Sequence, residues 1–458
     1  MRLAVVLQKD EGVSLSAAMS GQSGYFAVVE RDGIFWLIDP TGRHFLSKGV
    51  NAVRFDQEHI QGSDRIPYAE ACTRKYGGRN AWRAAAAARL ARWGFNTLGC
   101  WSDETVASAG PSPFAVAPNL DLGMSFAWRE NEQSTVGYRQ EFPDVFDINF
   151  DRHIRRRVQE LCGPRRDEQQ VLGWFVDNEL RWCPDWRGAE ELLGLFLGLS
   201  PASAGRKAAL DWLKERHRDF TIFNASWQTP ACSWDGLAAL AHIDAPYRRD
   251  PPYQRRAADE EAANRADPRR ARFAGDCDDF AAHVAERYFA LTSGAIKVAD
   301  PHHLVLGARF AYLPPRGVVD AAGRHCDIIS FNCYDLDPGA VIDNYAVAGK
   351  PCPIGEFSFR AVDSGLPNTN GAGPLVATQA ERAACFRRYV AAALRRRAVV
   401  GYHWFEHADQ PAQGRFDGEN SNFGTVTIED DVYQELTQAM TAVNAEAEAL
   451  HEASALAA

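Results

Sequence analysis

Short, nearly continuous apolar segments recur along the chain, separated by amphipathic ones. Eight of them have the length and the Val, Ile and Phe content of buried strands. They cover residues 44–50, 95–100, 114–120, 171–176, 303–309, 327–333, 351–357 and 399–405. Strands that are apolar on both faces belong to parallel sheets covered by helices. Eight such units predict an α/β fold of the (β/α)8 TIM barrel type rather than an open sheet.

The segments between these strands show the helical period of about 3.6 residues. The clearest helical patterns lie at residues 80–93, 151–162, 278–299 and 378–397, and another closes the chain at 433–453. No GxGxxG sequence follows the first strand, which counts against a dinucleotide-binding sheet. The alternation therefore favours the barrel.

The N-terminal part of the chain has a different pattern. Residues 24–43 alternate between apolar and polar positions around the turn sequences "RDG" and "DPTG". Alternation with a period of two around Asp-Gly predicts a β-hairpin. We expect an N-terminal segment, residues 1–43, whose hairpin packs on the barrel. We expect residues 44–458 to form the catalytic barrel.

One connection is too long for a simple loop. About 125 residues separate the fourth strand from the fifth. Helical patterns occur at residues 189–198 and 204–220, followed by a charged stretch at 247–273. We expect this insertion, residues 181–300, to build walls over the active face. The charged stretch is equally compatible with a mobile, solvated surface.

Composition and charge narrow the class of protein. The formal net charge of −10 argues against a nucleic-acid partner, which requires clustered excess Lys and Arg. No apolar run approaches the roughly 18 residues of a membrane span. The ten Cys are irregularly spaced and lie partly in strand-like segments, which indicates reduced, buried thiols.

The first residues carry only a short apolar patch, which charge interrupts after about five positions, less than a signal peptide needs. We therefore expect a cytoplasmic protein, and a periplasmic or secreted location stays open. A homo-oligomer is compatible with the sequence, which does not show one.

Candidate chemistry lies at the carboxyl ends of the predicted strands, where barrel enzymes place their catalytic groups. The fourth strand ends in Asp177, Asn178 and Glu179, and the seventh contains Glu356. Two carboxylates on strands across a barrel mouth suit glycoside hydrolysis with retention of configuration. A lone Glu at a strand end is more often a cap or an ion-pair partner, so the pair carries the hypothesis.

The surroundings of the two carboxylates predict different roles. Glu179 follows apolar residues and lies between Trp174 and Trp182 in sequence, which would raise its pKa and favour the acid role. Glu356 needs hydrogen-bond donors to stay ionised. The candidate donors, from neighbouring strand ends, are Arg309, Asn332 and Tyr334.

Alternatives stand beside several of these residues. Asn178 suits a sugar hydroxyl or a helix cap, Tyr334 a site or the core, and Trp404 a stacking platform or the core. His403 and His407 flank Trp404, but no further ligand completes a metal-binding pattern, so we expect no metal. No GxSxG elbow or P-loop occurs, and no cofactor is expected.

These stretches resemble the clan A retaining glycosidases and, more narrowly, glycoside hydrolase family 50, the β-agarases. The matching stretches run from about residue 33 to about residue 436 and are weak within 188–275. They are "FLSKGVNAV", "RWGFNTLGCWSD", "GWFVDNELRW", "DPHHLVLGARFA", "IGEF" and "GYHWFEHADQPAQGRFDGENSNFGTVTIEDDVYQEL". The last is the most specific.

The resemblance implies a β-agarase-type enzyme that cleaves β-1,4-galactosidic linkages, with Glu179 as acid/base and Glu356 as nucleophile. It implies that further residues hold the sugar or shape the loop after the eighth strand: Asn51, Asn178, Arg309, Asn332, Tyr334, Trp404, Asp409, Gln410, Glu419 and Asn420. A cytosolic enzyme would meet short oligosaccharides rather than the polymer. Another exo-acting β-glycosidase, such as a β-galactosidase, is the alternative, and a non-catalytic sugar-binding barrel is the least favoured.

Overall fold

A computed structural model describes residues 24–131, 142–251, 257–311 and 313–454. The strands are β1 Ala27–Arg31, β2 Ile34–Ile38, β3 His44–Phe45, β4 Ser47–Val50, β5 Thr97–Leu98, β6 Ala115–Val116, β7 Gly173–Trp174, β8 Leu304–Val305, β9 Phe331–Asn332, β10 Cys352–Phe357, β11 Arg360–Ala361, β12 Leu375–Val376 and β13 Val399–Trp404.

The helices alternate with these strands. They are α1 Pro67–Tyr76, α2 Arg79–Arg92, α3 Leu122–Asn131, α4 Ile148–Leu161, α5 Leu192–Leu197, α6 Ala204–His217, α7 Phe220–Trp227, α8 Trp234–Ala238, α9 Ala257–Ala266, α10 Pro268–Ala299, α11 Arg316–His325, α12 Gly339–Ala346, α13 Gln379–Leu394 and α14 Gln434–Glu452.

The predicted α/β fold with parallel strands is confirmed. Six parallel strands form one sheet in the order β6-β5-β4-β13-β10-β9, and β7 pairs with β8 in parallel. Single parallel bridges link Val116 with Val171, and Phe310 with Phe331. The carboxyl ends of these eight strands therefore face the same way, which brings their last residues together.

Each of the eight predicted strands contains one of these observed strands, but most are shorter than predicted. Regular pairing stops early because the chain bends toward the site. The pairing of β10 with β13 shifts register between Ile354 and Phe357, and Glu179 and Arg309 have left-handed backbone angles just after β7 and β8. Apolar content predicts burial, and it does not report where such bends begin.

The predicted N-terminal hairpin is also confirmed, within the described residues from 24 onward. β1 and β2 pair antiparallel, and the turn between them uses positive φ angles at Asp32 and Gly33, as a type I′ turn requires. Phe26 and Leu37 pack in a buried cluster with Leu172 of the parallel strands. The first 23 residues of the predicted segment lie outside the described residues.

The insertion after β7 contains helices α5 to α10, which confirms the two helical patterns predicted there. The described parts of the charged stretch include regular helix and one buried charge. Residues 257–266 form α9, and α10 begins at Pro268 rather than near 278. Arg249 is buried and pairs with Glu191 and Asp278. Residues 252–256 of the stretch lie outside the described residues.

The cysteines behave as predicted. All ten lie within the described residues and none forms a disulfide, and all are buried except Cys232. A search of the described helices for a membrane span found none that is both long and apolar enough.

Candidate active site

Asp177, Asn178 and Glu179 follow β7, and their side chains have different partners. Asp177 is fully buried and accepts hydrogen bonds from the backbone N–H groups of Gly123 (2.6 Å) and Met124 (3.0 Å), at the start of α3. Asp177 is therefore a structural cap. Glu179 has a φ of 55° and its N–H donates to the carbonyl of Arg309, so the two chain bends support each other.

Glu356 lies within β10 and is held by two donors. One oxygen accepts a hydrogen bond of 2.5 Å from Arg309 Nη2, and the other accepts one of 2.6 Å from the Tyr334 hydroxyl. Only 5% of Glu356 is exposed, and Arg309 is fully buried. Both donors stabilise the ionised carboxylate, the form that a nucleophile requires.

Glu179 has the opposite electrostatic environment. Burial and the neighbouring charge of Glu356 raise its pKa to about 7. The hydrogen bond of 2.8 Å from Asn332 Nδ2 acts in the other direction and lowers its pKa. The balance keeps a large protonated fraction near neutral pH, which suits a general acid.

Asn178 connects the two carboxylates. Its amide oxygen accepts hydrogen bonds from Arg309 Nε (2.8 Å) and from Asn332 Nδ2 (3.1 Å). Arg309 and Asn332 are the groups that also bind Glu356 and Glu179. A continuous chain of hydrogen bonds therefore fixes the carboxylates relative to each other.

Four residues near this network were not singled out from the sequence. Arg309 lies over the rings of Trp101 (5.1 Å) and Phe175 (5.0 Å), and its Nη1 lies 2.9 Å from Cys100 Sγ. Asp121 is partly exposed after β6, and its charge acts on Arg309. Trp101 and Asp121 directly follow predicted strands, so the strand-end argument could have included both.

No family model matches the chain. It is 27% identical to β-agarase A of Vibrio sp. (strain JT0107) over 95% of this chain and 47% of that protein. β-Agarase B of the same strain is 26% identical, over 92% of this chain and 48% of that protein. The chain thus spans about half the length of these relatives.

Solved structures of similar proteins have the same overall fold. The agarase AgWH50C superposes with a TM-score of 0.73 at 25% identity, over 95% of this chain and 66% of that one. PfGH50B gives 0.74 at 25% identity, over 96% of this chain and 68% of that one. The chain is a homologue of the family 50 β-agarases. The resemblance inferred from the strand ends is confirmed.

Two of the residues that the resemblance assigns to holding the sugar, Asn51 and Trp404, are enclosed by the protein. Asn51 is fully buried, and its amide group bonds to the backbone of Gly355 and Cys100. Trp404 is also fully buried, and its indole N–H donates to the Phe423 carbonyl. Its ring therefore belongs to the core and offers no face to a ligand. The position of these residues in the sequence did not distinguish contact with a sugar from burial in the core.

Asp409 and Asn420, which the resemblance assigns to the loop after the eighth strand, both form hydrogen bonds there. Asp409 is 2% exposed and accepts hydrogen bonds from Asn422, Gly424 and Tyr433. The Asn420 side chain bonds to Thr369 and to the N–H of Asn370, which joins two loops. Both residues shape the loop after β13.

Glu419 lies closer to the reaction centre. It is partly exposed, pairs with Arg415 at 2.8 Å and accepts a hydrogen bond of 2.8 Å from Gln410 Nε2. Burial raises its pKa, and the charge of Glu356 adds to that rise. Of the four predicted loop residues, Glu419 is the one whose charge acts on the nucleophile.

The two tryptophans expected beside Glu179 have other neighbours. Trp174 is buried and donates its indole N–H to Asp300, and Trp182 stacks on Phe289 in the core. The raised pKa of Glu179 comes from burial and the charge of Glu356 rather than from these rings.

His403 and His407 are buried side chains of the core. Burial lowers the pKa of each imidazole to about 3, and His403 Nε2 lies 2.8 Å from the Ser47 hydroxyl. Within the part of the chain that the structure describes, no group of three His, Cys, Asp or Glu side chains is arranged to hold a metal ion.

Proposed function

We propose that this chain is a retaining glycoside hydrolase that cleaves β-1,4-galactosidic linkages in agarose-derived oligosaccharides. The observation that carries the proposal is the pair Glu179 and Glu356, held in one hydrogen-bond network but in opposite electrostatic environments. The homology to β-agarases supplies the substrate class. No cofactor is required by this chemistry.

The scaffold we infer for this chemistry is a (β/α)8 barrel formed by β4 to β10 and β13, with residues 181–300 inserted after its fourth strand. The single bridges at Val116–Val171 and Phe310–Phe331 support this inference, since they join the six-stranded and two-stranded sheets at both edges. The site lies at the carboxyl ends of the strands, as in other barrel enzymes.

The first step breaks the glycosidic bond. The Glu356 carboxylate attacks the anomeric carbon and forms a glycosyl ester, while Glu179 gives its proton to the departing oxygen. Arg309 and Tyr334 hold Glu356 in one orientation for the attack. Asn178 and Asn332 keep Glu179 beside it.

The second step uses the same two carboxyl groups, and Glu179 now acts as a base instead of an acid. Esterification removes the negative charge of Glu356, which is one of the two causes of the raised pKa of Glu179. The pKa of Glu179 therefore falls in the intermediate. Glu179 is then a base that takes a proton from water while the water oxygen attacks the anomeric carbon, which breaks the bond to Glu356 and frees its carboxylate.

The test is product analysis by mass spectrometry on agarose, neoagaro-oligosaccharides and a panel of β-galactosides, with Glu356→Gln as the inactive control. Release of short neoagaro-oligosaccharides by the wild type alone supports the proposal. Cleavage of simple β-galactosides alone would keep the mechanism and point to an exo-acting β-galactosidase. Equal products from the variant would remove Glu356 from the mechanism.

A further inference from the structure

The loop after β13 carries an exposed aromatic side chain at its tip. Phe416 is 57% exposed, whereas most Phe side chains of the chain are buried. An exposed ring has a cost in water unless something covers it. Its position next to the candidate site makes it of interest.

Phe416 is held by a cation between two rings. The Arg415 guanidinium lies 5.1 Å from the Phe416 ring and 5.6 Å from the Phe405 ring. Arg415 also forms ion pairs with Glu419 at 2.8 Å and with Glu58 at 3.5 Å. The ring is therefore supported from beneath by a fixed group.

The backbone around Phe416 is closed by hydrogen bonds. The Gly418 N–H donates to the Arg415 carbonyl, and the Arg415 N–H donates to the Glu419 carbonyl, both at 2.8 Å. The Gly414 carbonyl accepts a hydrogen bond of 2.9 Å from the N–H of Gln61. The loop presents the ring in one position, which lowers the entropic cost of binding.

A row of contacts leads from this ring to the nucleophile. The Phe405 ring meets the Tyr334 ring edge-on at 6.5 Å, and the Tyr334 hydroxyl donates to Glu356. The charge of Glu419, on the same loop, also acts on Glu356. The loop thus lies beside the nucleophile.

In double displacement the glycone is the part of the substrate that the nucleophile holds, since it stays bound as the ester when the leaving group departs. We propose that Phe416 is the platform of a distal glycone subsite, with Arg415 as its support. This inference rests on the proposed function. It names the substrate class as uncharged galactan oligosaccharides with several units on the glycone side, whose apolar sugar face stacks on the ring.

The experiment compares aryl β-glycosides that share one leaving group and differ in glycone length, from a single galactose to an agaro-oligosaccharide. The ratio of kcat/KM for long over short glycones should fall about tenfold in Phe416→Ala, the loss of one aromatic stacking contact. Phe416→Trp should keep the wild-type ratio. Val298→Ala is the control, since it removes another exposed apolar side chain, at the end of α10 that precedes β8, opposite the site.

An unchanged ratio in Phe416→Ala, or an equal loss on short and long glycones, overturns the subsite. A change of molar mass in light scattering for Phe416→Ala also overturns it, because the ring would then be an oligomer contact. Calorimetry on Glu356→Gln, with and without Phe416→Ala, separates this idea from the proposed function. Oligosaccharide binding that weakens about tenfold with Phe416→Ala supports the platform even where the wild type cleaves nothing. Binding that is absent or insensitive to Phe416 overturns it.

Discussion

At the scale of single residues, the site separates two glutamates by their neighbours. Glu356 faces two donors, while Glu179 is partly buried beside a negative charge and has one amide donor. The chemistry of each carboxylate follows from these contacts rather than from the residue type. The predictions at this scale therefore concern the proton on Glu179.

The value of kcat/KM should fall as the pH rises through about 7, because the acid must be protonated for the first step and the pKa of Glu179 is raised to about 7. Glu179→Gln should remove this limb and lower kcat/KM by about a hundredfold or more on substrates with poor leaving groups. With a dinitrophenyl leaving group, which needs no proton, formation of the glycosyl ester should be nearly unaffected. A pH–rate profile with both substrate types measures this. An alkaline limb that survives in the variant would assign it to another group.

Asn332→Ala should move the alkaline limb to higher pH. The Asn332 hydrogen bond stabilises the ionised form of Glu179, so its loss raises the pKa further. The measurement is the pH dependence of kcat/KM. Asn344→Ala, which removes an exposed amide on α12, is the matched control and should leave the profile in place. A shift to lower pH in Asn332→Ala would contradict this account.

At the scale of elements, the insertion is held by buried charges. Arg249 is 2% exposed and joins Glu191, which precedes α5, to Asp278 of α10. A solvent-exposed charged segment and a buried ion-pair network contain the same residue types, so the sequence was compatible with both. Only the approach of segments distant along the chain distinguishes them.

Arg249→Ala should lower the free energy of unfolding of the insertion by about 3–5 kcal/mol, because it leaves the buried carboxylate of Glu191 without its partner. Arg265→Ala, which removes an exposed pair with Glu261, should change it by less than about 1 kcal/mol. Urea denaturation measures both. Equal effects in the two variants would show that burial of Arg249 is not what matters.

At the scale of the whole molecule, the strands carry neutral histidines in the core. Burial lowers the pKa of His403 and His407 to about 3, whereas an unfolded chain binds their protons below about 6.5. The unfolded state therefore binds more protons as the pH falls. The stability from each group is present above about pH 6.5 and is lost as the pH falls toward 3.

The unfolding free energy should thus decrease below pH 6.5 by up to about 1.4 kcal/mol per pH unit for each buried histidine. His403→Gln and His407→Gln should flatten this dependence, although each also lowers stability at neutral pH. Denaturation curves between pH 4 and pH 8 measure the slope. His59→Gln, at an exposed position, is the control. An unchanged slope in both core variants would contradict the assignment.

The sequence by itself determined the alternation of strands and helices, the N-terminal hairpin, and the two glutamates at the strand ends. These follow from local period and turn chemistry, which residues close in the chain decide. The tertiary structure decided the roles of Asn51, Trp404 and Asp409, the order within the charged stretch, and which groups share protons and charge. These features depend on burial and on partners far away in sequence, such as Arg309 with Glu356. No local sequence pattern encodes which distant side chains come into contact.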